Sequence, residues 1–211
     1  MNLLARNLPE AMSTPRRREP RRDYAGDVLL RTRRLVLRGL CLRDAEDISG
    51  LHADPRVSAH LLEKIPLSFL ETIGLIAQAN HVYRDAPGLG IWHASAPEGF
   101  IGLFSLMPVQ GNEHEIELGA RLMPTAFGRL YSLEGSRALR DHAFARLGLT
   151  RLRGFCDPHN AAVPLIFRRL GFSDAGTTEH FGREALAFVL EREAWQARAA
   201  TSSGPHALET P

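Results

Sequence analysis

The sequence predicts an α/β (α+β) fold in which helices cover both faces of one mixed, mostly antiparallel sheet of about seven strands. Near the middle of the chain, apolar strand-like runs follow one another with only short turns between them, as in an antiparallel meander. Helical patterns lie on both sides of this meander, and strand-like runs return near the C-terminus. With 211 residues, 44% of them hydrophobic and 24% charged, the chain has the length and composition of one globular domain.

The first predicted strand covers residues 33–39, where apolar and basic residues alternate. Two helical segments follow it. The first begins near Asp44, and the second begins at Ser68 and reaches about residue 83. Ser68 with Glu71 three residues later is the capping-box pattern that marks a helix start.

The central meander and the helix after it follow next. The three predicted strands cover residues 89–95, 100–107 and 115–122. A helix is expected over residues 129–147, ended by Gly148. A stripe of mostly small residues recurs at helical spacing along this helix, so we expect it to lie close against the sheet. The residues of this stripe are Ser132, Gly135, Ser136, Leu139 and Ala143.

The C-terminal elements complete the predicted sheet. A strand over residues 151–156 leads to a short helix that starts at Pro164 and is closed by Gly171. The last two strands are expected over residues 172–177 and 184–190.

We expect one domain over residues 29–198, between a disordered, arginine-rich tail at 1–28 and a second disordered tail at 199–211. The formal net charge is only +2 and the arginines do not line one face, so neither nucleic acid nor a membrane is expected as a partner. Cys41 and Cys156 in a chain without a secretion signal indicate reduced thiols and a cytoplasmic location. The histidines lack metal-ligand spacing, so no metal is expected. A monomer or a homodimer is compatible with this composition.

An anion site is expected where the helix of residues 129–147 begins. The preceding turn, residues 123–128 (MPTAFG), is short enough to aim several backbone N–H groups at one point. The partial positive charge of a helix N-terminus suits a pyrophosphate, and Gly128 allows a close approach of the backbone. An ordinary strand-to-helix turn is the alternative interpretation.

Three stretches carry a family resemblance: residues 115–119 (EIELG), 127–134 (FGRLYSLE) and 160–172 (NAAVPLIFRRLGF). They resemble, in order, the fourth strand, the W-G-x-G-Y-A-T-E motif and the N-x-x-S-x-x-x-x-x-x-L-G-F motif of the GNAT N-acetyltransferase superfamily. The resemblance is strongest to the branch of ribosomal-protein N-terminal acetyltransferases, and it covers about residues 33–195.

The resemblance implies a GNAT-like sheet splayed between its fourth and fifth strands, residues 115–122 and 151–156, with acetyl-CoA as co-substrate in the gap. Backbone groups of the turn before the helix would hold the pantetheine and pyrophosphate, and Asn160 would position the pantetheine. The residues implied in acetyl-CoA binding are Leu122, Met123, Thr125, Phe127, Gly128, Arg129, Leu130, Tyr131, Asn160 and Phe167.

Four residues depart from the family pattern. Relatives carry Gln or Arg at Thr125, Gly or Ala at Leu130, Ser or Ala at Val163, and a tyrosine acid at Phe167. Leu130 would crowd the phosphates, and Phe167 cannot donate a proton. With a thiol pKa of about 8.5, the CoA thiolate is still an adequate leaving group without a protein acid. The alternative to an enzyme is therefore a degenerate GNAT domain that binds acyl-CoA or a protein partner without turnover.

The proposed reaction is direct transfer of acetyl to a primary amine, and Glu117 is the candidate base that accepts the proton of the amine. Glu115 and His93 are weaker alternatives. An α-amine with a pKa of about 8 needs roughly 1.4 kcal/mol to lose its proton at pH 7, whereas a lysine amine needs more than about 4 kcal/mol. A protein N-terminus is thus the easier acceptor, although small amines such as polyamines, antibiotics or amino acids stay open.

Overall fold

An eight-stranded sheet with the order β1-β2-β3-β4-β5-β6-β8-β7 forms the centre of the computed structural model, which describes residues 25–63 and 68–202. The strands are β1 (Val28–Arg31), β2 (Val36–Gly39), β3 (Gly90–Ala96), β4 (Gly99–Val109), β5 (Asn112–Leu122), β6 (Arg151–Cys156), β7 (Ser173–His180) and β8 (Arg183–Glu191). The helices are α1 (Ala45–Ala53), α2 (Pro55–Ser58), α3 (Phe69–Asp85), α4 (Tyr131–Ala145), α5 (Ala162–Leu170) and α6 (Arg192–Ser202). Short 3₁₀ turns at Leu42–Asp44 and Pro124–Ala126 precede α1 and α4. The predicted fold class is confirmed.

The sheet splits between β5 and β6. Every other neighbouring pair of strands is antiparallel, whereas β5 and β6 run parallel and are in register at Glu117 and Arg153. Beyond this pair the two strands diverge, so the edge of β5 from Gly119 to Leu122 has no strand partner on the β6 side. The divergence leaves a gap near the middle of the sheet.

Helices lie on both faces of the sheet. On one face, Asp47 of α1 approaches His93 of β3, and Arg121 of β5 reaches back toward α1. On the opposite face, Gly135 of α4 lies against Phe104 of β4. A Cβ on Gly135, a residue of the predicted small-residue stripe, would stand 2.4 Å from the ring of Phe104. The axis of α4 therefore lies closer to the sheet than an alanine at this position would allow.

Two predicted helix starts are wrong by two residues. Helix α4 begins at Tyr131 instead of residue 129, because Gly128 (φ 74°) and Leu130 (φ 62°) hold left-handed conformations that an α-helix cannot contain. Helix α5 begins at Ala162 instead of Pro164, because the side-chain oxygen of Asn160 accepts the N–H of Ala162 at 3.3 Å. Pro164 then lies in the first turn, where a missing N–H is harmless.

The sheet contains one strand more than the seven or so predicted. Strand β1 pairs antiparallel with β2, but its sequence VLLR stands among arginines and gives no clear strand period. Regular structure extends past both predicted domain limits, from β1 at one end to Ser202 of α6 at the other. The remaining parts of the two predicted tails, residues 1–24 and 203–211, lie outside the described residues.

The capping box at the start of α3 is confirmed. The backbone N–H of Ser68 donates to Glu71 Oε2 at 2.6 Å, and the N–H of Glu71 donates to Ser68 Oγ at 3.2 Å. In the described part of the chain, no helix is both long and apolar enough to cross a membrane.

Candidate active site

The gap between β5 and β6 opens into a cavity of about 600 Å³, which we call the splay cavity. Its walls come from Glu117 to Leu122 of β5, from Phe155 and Cys156 of β6, and from both faces of the sheet. Ser132, Leu133 and Ser136 of α4 line it on one side, together with α5. Arg56 and Val57 of α2, together with the residues from His60 to Glu63 that follow this helix, line it on the other side. The cavity therefore joins the two faces through the split in the sheet.

The start of α4 offers unpaired backbone donors to this cavity. Within the described chain, no acceptor is found for the backbone N–H groups of Gly128, Leu130, Tyr131, Ser132 and Leu133. The first turn of any α-helix leaves its N–H groups without intrahelical partners, and these groups carry the positive end of the helix dipole. Gly128, Leu130 and the first α4 residues also line the cavity. The expected anion site thus has the donors that an anion needs.

Side chains from two distant turns hold the start of α4 in place. The guanidinium of Arg34 pairs with Glu134 at 2.6 Å and lies 4.4 Å from the centre of the Tyr131 ring. The Tyr131 hydroxyl donates to Glu98 at 2.5 Å, and this hydrogen bond is the main cause that lowers the pKa of Glu98 and raises that of Tyr131. Sequence reasoning missed Arg34 and Glu98, since the β1–β2 and β3–β4 turns approach α4 only in the folded sheet.

The implied acetyl-CoA residues divide into two groups. The splay cavity brings together Leu122, Phe127, Gly128, Leu130, Tyr131, Asn160 and Phe167. Met123, Thr125 and Arg129 do not line it. The N–H of Met123 donates to Ile101 O at 2.8 Å, and the side chain of Arg129 donates to Glu98 at 3.0 Å, so both residues stabilise the turn.

Asn160 and Phe167 reach the cavity from the β6–α5 segment. The Oδ1 atom of Asn160 caps α5, and its amide nitrogen has no hydrogen-bond partner among the described residues. Phe167 is 6% exposed and packs between Phe172 and Phe188, with centroid distances of 5.0 and 4.9 Å. Its ring lies directly over Gly154, where a Cβ would stand 2.4 Å away. The position of the usual acid is thus occupied by a core aromatic ring.

Glu117 lies where β5 and β6 part, and it lines the cavity with its side chain 24% exposed. The two weaker candidates for the base lie outside the cavity. Glu115 faces Arg151 at 3.4 Å and Arg153 at 3.7 Å. His93 is buried, with its Nε2 atom 3.3 Å from Asp47, and burial lowers its pKa. The geometry therefore favours Glu117 over the other two.

Two features near Glu117 were not found from the sequence. His180, at the end of β7, has its Nε2 atom 3.1 Å from Glu117 Oε2. Arg121, four residues beyond Glu117, donates to the buried His52 at 3.1 Å and to Glu63. The only local signal was the short turn of Phe181 and Gly182 between two strand patterns. Glu117, the group that His180 approaches, lies more than sixty positions earlier in the chain.

Cys156 also lines the cavity. Burial, followed by the charges of Asp157 and Asp174, raises the pKa of its thiol to about 11. The thiol is therefore protonated at neutral pH, which argues against Cys156 as a nucleophile. The described residues contain no group of three side chains suited to hold a metal ion.

Comparisons with known proteins agree with this fold. The family profile of the acetyltransferase (GNAT) domain matches residues 34–173. The uncharacterized N-acetyltransferase YoaA of Bacillus subtilis is 23% identical over 155 residues, which cover 72% of this chain and 87% of the relative. A spermidine N-acetyltransferase from Vibrio cholerae, solved with CoA and spermine, has a TM-score of 0.66 at 19% identity and covers 78% of this chain and 99% of its own. RimL, a ribosomal L7/L12 α-N-protein acetyltransferase solved with coenzyme A, has a TM-score of 0.66 at 15% identity, with coverages of 80% and 99%.

Proposed function

Because the chain belongs to the GNAT acetyltransferase family, we propose that it transfers an acetyl group from acetyl-CoA to a primary amine in a ternary complex. The observation that carries the proposal is the splay cavity. It connects unpaired amides at the start of α4, on one face of the sheet, with the Glu117 carboxylate on the other. If the phosphates of acetyl-CoA bind at the start of α4, its thioester can meet an amine that enters from the α2 face.

The chain would bind acetyl-CoA mainly through its backbone. The unpaired N–H groups of Gly128 and of Leu130 to Leu133 suit the pyrophosphate, because the helix dipole and unpaired donors favour an anion there. The unpaired edge of β5 from Gly119 to Leu122 suits the amides of the pantetheine, which can bond to it as a neighbouring strand would. The free amide nitrogen of Asn160 adds a donor on the opposite wall of the gap.

The transfer itself needs orientation and one proton acceptor. The amine nitrogen forms a bond to the thioester carbonyl carbon, the carbon–sulfur bond breaks, and the CoA thiolate leaves. Glu117 accepts the proton of the attacking amine, directly or through water. Since Phe167 cannot protonate the sulfur, the thiolate is protonated later by solvent, which a thiol pKa of about 8.5 permits.

The acceptor is proposed at the level of a primary amine. RimL acts on the α-amine of a ribosomal protein, and the Vibrio cholerae enzyme acts on a polyamine, yet both are too distant to decide for this chain. An α-amine is our first choice because it loses its proton at a cost lower by about 3 kcal/mol than a lysine amine does. A cytoplasmic location and a monomeric or homodimeric state are part of the same proposal.

The decisive experiment combines calorimetry with a turnover assay. Acetyl-CoA is titrated into the protein, and release of free thiol is then followed with free N-terminal peptides, polyamines and amino acids as acceptors. Binding with turnover supports the enzyme. Binding without turnover on any amine supports the degenerate domain, which Leu130, Val163 and Phe167 suggest. Absence of binding contradicts both the enzyme and a degenerate domain that binds acyl-CoA.

The role of Glu117 is tested by Glu117→Gln. We expect turnover at pH 7 to fall about a hundredfold, because the amine loses its proton acceptor, while the dissociation constant of acetyl-CoA stays unchanged. The loss should shrink at pH 9, where an α-amine with a pKa of about 8 is already mostly neutral. Glu115→Gln, on the same strand but outside the cavity, is the matched control. An equal loss at both pH values, or an equal loss in the control, would argue against Glu117 as the base.

A further inference from the structure

His180 stands at the tip of the β7–β8 hairpin, at the edge of the splay cavity. In the β7–β8 ladder His180 lies opposite Arg183, so only Phe181 and Gly182 form the turn. Both turn residues have positive φ angles, 53° and 73°, as a two-residue type I′ turn requires. The hairpin thereby ends abruptly and holds His180 against the split in the sheet.

Phe181 is an unusual residue for this turn. A left-handed conformation costs a residue other than glycine about 1–2 kcal/mol, and asparagine or glycine is the common choice at this position. Phe181 accepts this strain at a place where its side chain lines the cavity and its ring packs edge-on against His180, with centroids 4.4 Å apart. Strain of this kind tends to persist where the surroundings of a functional site impose it.

The imidazole of His180 is fixed between aromatic rings. Its other neighbour is Phe155 of β6, stacked at 4.1 Å with an interplanar angle of 21°. The side chain of His180 is 3% exposed. Its Nε2 atom lies 3.1 Å from Glu117 Oε2, although the two groups are not aligned for a hydrogen bond, and Nε2 has no other partner among the described residues. A buried polar nitrogen without a hydrogen bond is costly, so its presence beside Glu117 calls for a reason.

We propose that His180 is the positioning residue for Glu117. A small rotation lets Nε2–H donate to one oxygen of the carboxylate, and the two rings prevent the imidazole from turning away. The second carboxylate oxygen then faces the cavity, where it can accept the proton of the amine. Arg153 lies directly across from Glu117 on β6, but its side chain approaches Glu115 at 3.7 Å. His180 is therefore the basic side chain that approaches the Glu117 carboxylate. The inference rests on the proposed acetyl transfer.

A double-mutant cycle tests this role, with acetyl-CoA as donor and two probe amines, the tripeptide Ala-Ala-Ala and spermidine. We expect His180→Phe, which keeps the stacking, to lower kcat about tenfold and to leave KM for acetyl-CoA unchanged. His180→Gln should lose only about two- to threefold, because its amide can still donate to Glu117. In the Glu117→Gln background, His180→Phe should change kcat less than about twofold, since the group it orients is gone.

His93→Phe is the matched control for this cycle. His93 is equally buried, lies against Phe100 at 4.6 Å and faces the carboxylate of Asp47, but it does not line the cavity. We expect its kcat to stay within about twofold of wild type. Thermal melts of all variants show whether the fold is kept, and His180→Gln carries the test if His180→Phe does not fold.

Three results would overturn the positioning role alone. The first is a kcat equal to that of the wild type in both His180 variants. The second is an undiminished effect of His180→Phe on kcat in the Glu117→Gln background. The third is a change in KM without a change in kcat. The second result would make His180 act independently of Glu117. If instead the wild-type protein binds acetyl-CoA but acetylates neither probe nor any other amine, the proposed function itself fails.

Discussion

At the scale of single residues, Leu130 combines two properties that leucine seldom has. It holds a left-handed conformation (φ 62°, ψ 14°) just before α4, and its side chain is 57% exposed. A residue with a Cβ pays about 1–2 kcal/mol for this conformation, whereas glycine adopts it freely. We expect Leu130→Gly to raise the free energy of unfolding by up to about 1 kcal/mol, because glycine loses part of the gain through its more flexible unfolded chain. Urea denaturation measures the difference.

Leu130→Ala separates strain from side-chain bulk. Alanine keeps the Cβ and hence the strain, so we expect no gain in stability from it. Both variants remove the branched side chain from the wall of the cavity. If Leu130 crowds the phosphates, calorimetry will show tighter binding of acetyl-CoA by both. Equal stability of the glycine and alanine variants would contradict the strain argument.

At the scale of elements, the approach of α4 to the sheet depends on Gly135. A Cβ at this residue would stand 2.4 Å from Phe104, which is buried and cannot move aside. We expect Gly135→Ala to lower the free energy of unfolding by about 1–3 kcal/mol, despite the better helix propensity of alanine. Because the same helix presents the unpaired amides, affinity for acetyl-CoA should fall as well.

Gly74 in the middle of α3 is the matched control for Gly135. It is exposed, and nothing stands within 4 Å of the position of its Cβ. Gly74→Ala should therefore raise stability by about 0.5–1 kcal/mol and leave binding unchanged. The same sign of stability change at both positions would show that α4 is not held by close packing.

The elements also show where sequence reasoning succeeds. The capping box of Ser68 and Glu71 and the small residues of α4 were readable because each acts within one helix or on one face. Strand β1 and the true start of α4 could not be predicted from the sequence. Four residues of β1 gain their structure from pairing with β2, and Leu130 is driven into its conformation by the turn against its own propensity.

At the scale of the whole molecule, the two halves of the candidate site differ in how far sequence could predict them. The proposed acetyl-CoA side is built largely from one continuous stretch, the end of β5 and the turn into α4, so a local motif can predict it. The proposed acceptor side is assembled from α2, β5 and the β7–β8 hairpin, which only the topology brings together. His180 could not be paired with Glu117 without knowing that β7 and β5 approach the same gap.

The stability of the molecule should depend on pH through its buried histidines. His52 is fully buried, and burial, followed by the charge of Arg121, lowers its pKa from the ordinary 6.5 to about 4. Burial likewise lowers the pKa values of His93 and His142. Between the ordinary pKa of 6.5 and the lowered pKa of about 4, the unfolded chain binds a proton on His52 that the folded protein excludes. The free energy of unfolding therefore falls as pH falls. For His52 the loss from pH 7 to pH 4 is on the order of 3 kcal/mol, and stability should be constant above about pH 7.

Urea unfolding of the wild type and of His52→Gln, measured at pH 7 and pH 5, isolates this contribution. Glutamine keeps an acceptor for Arg121 but cannot be protonated, so the variant should lose less stability between the two pH values, by about 2 kcal/mol. The lowered pKa values of His93 and His142 contribute to the remaining loss. The carboxyl of Asp157, whose pKa is lowered chiefly by the backbone N–H of His159, loses its contribution only below about pH 4 and does not interfere. An identical loss in wild type and variant would show that folding does not lower the pKa of His52, which would contradict this prediction.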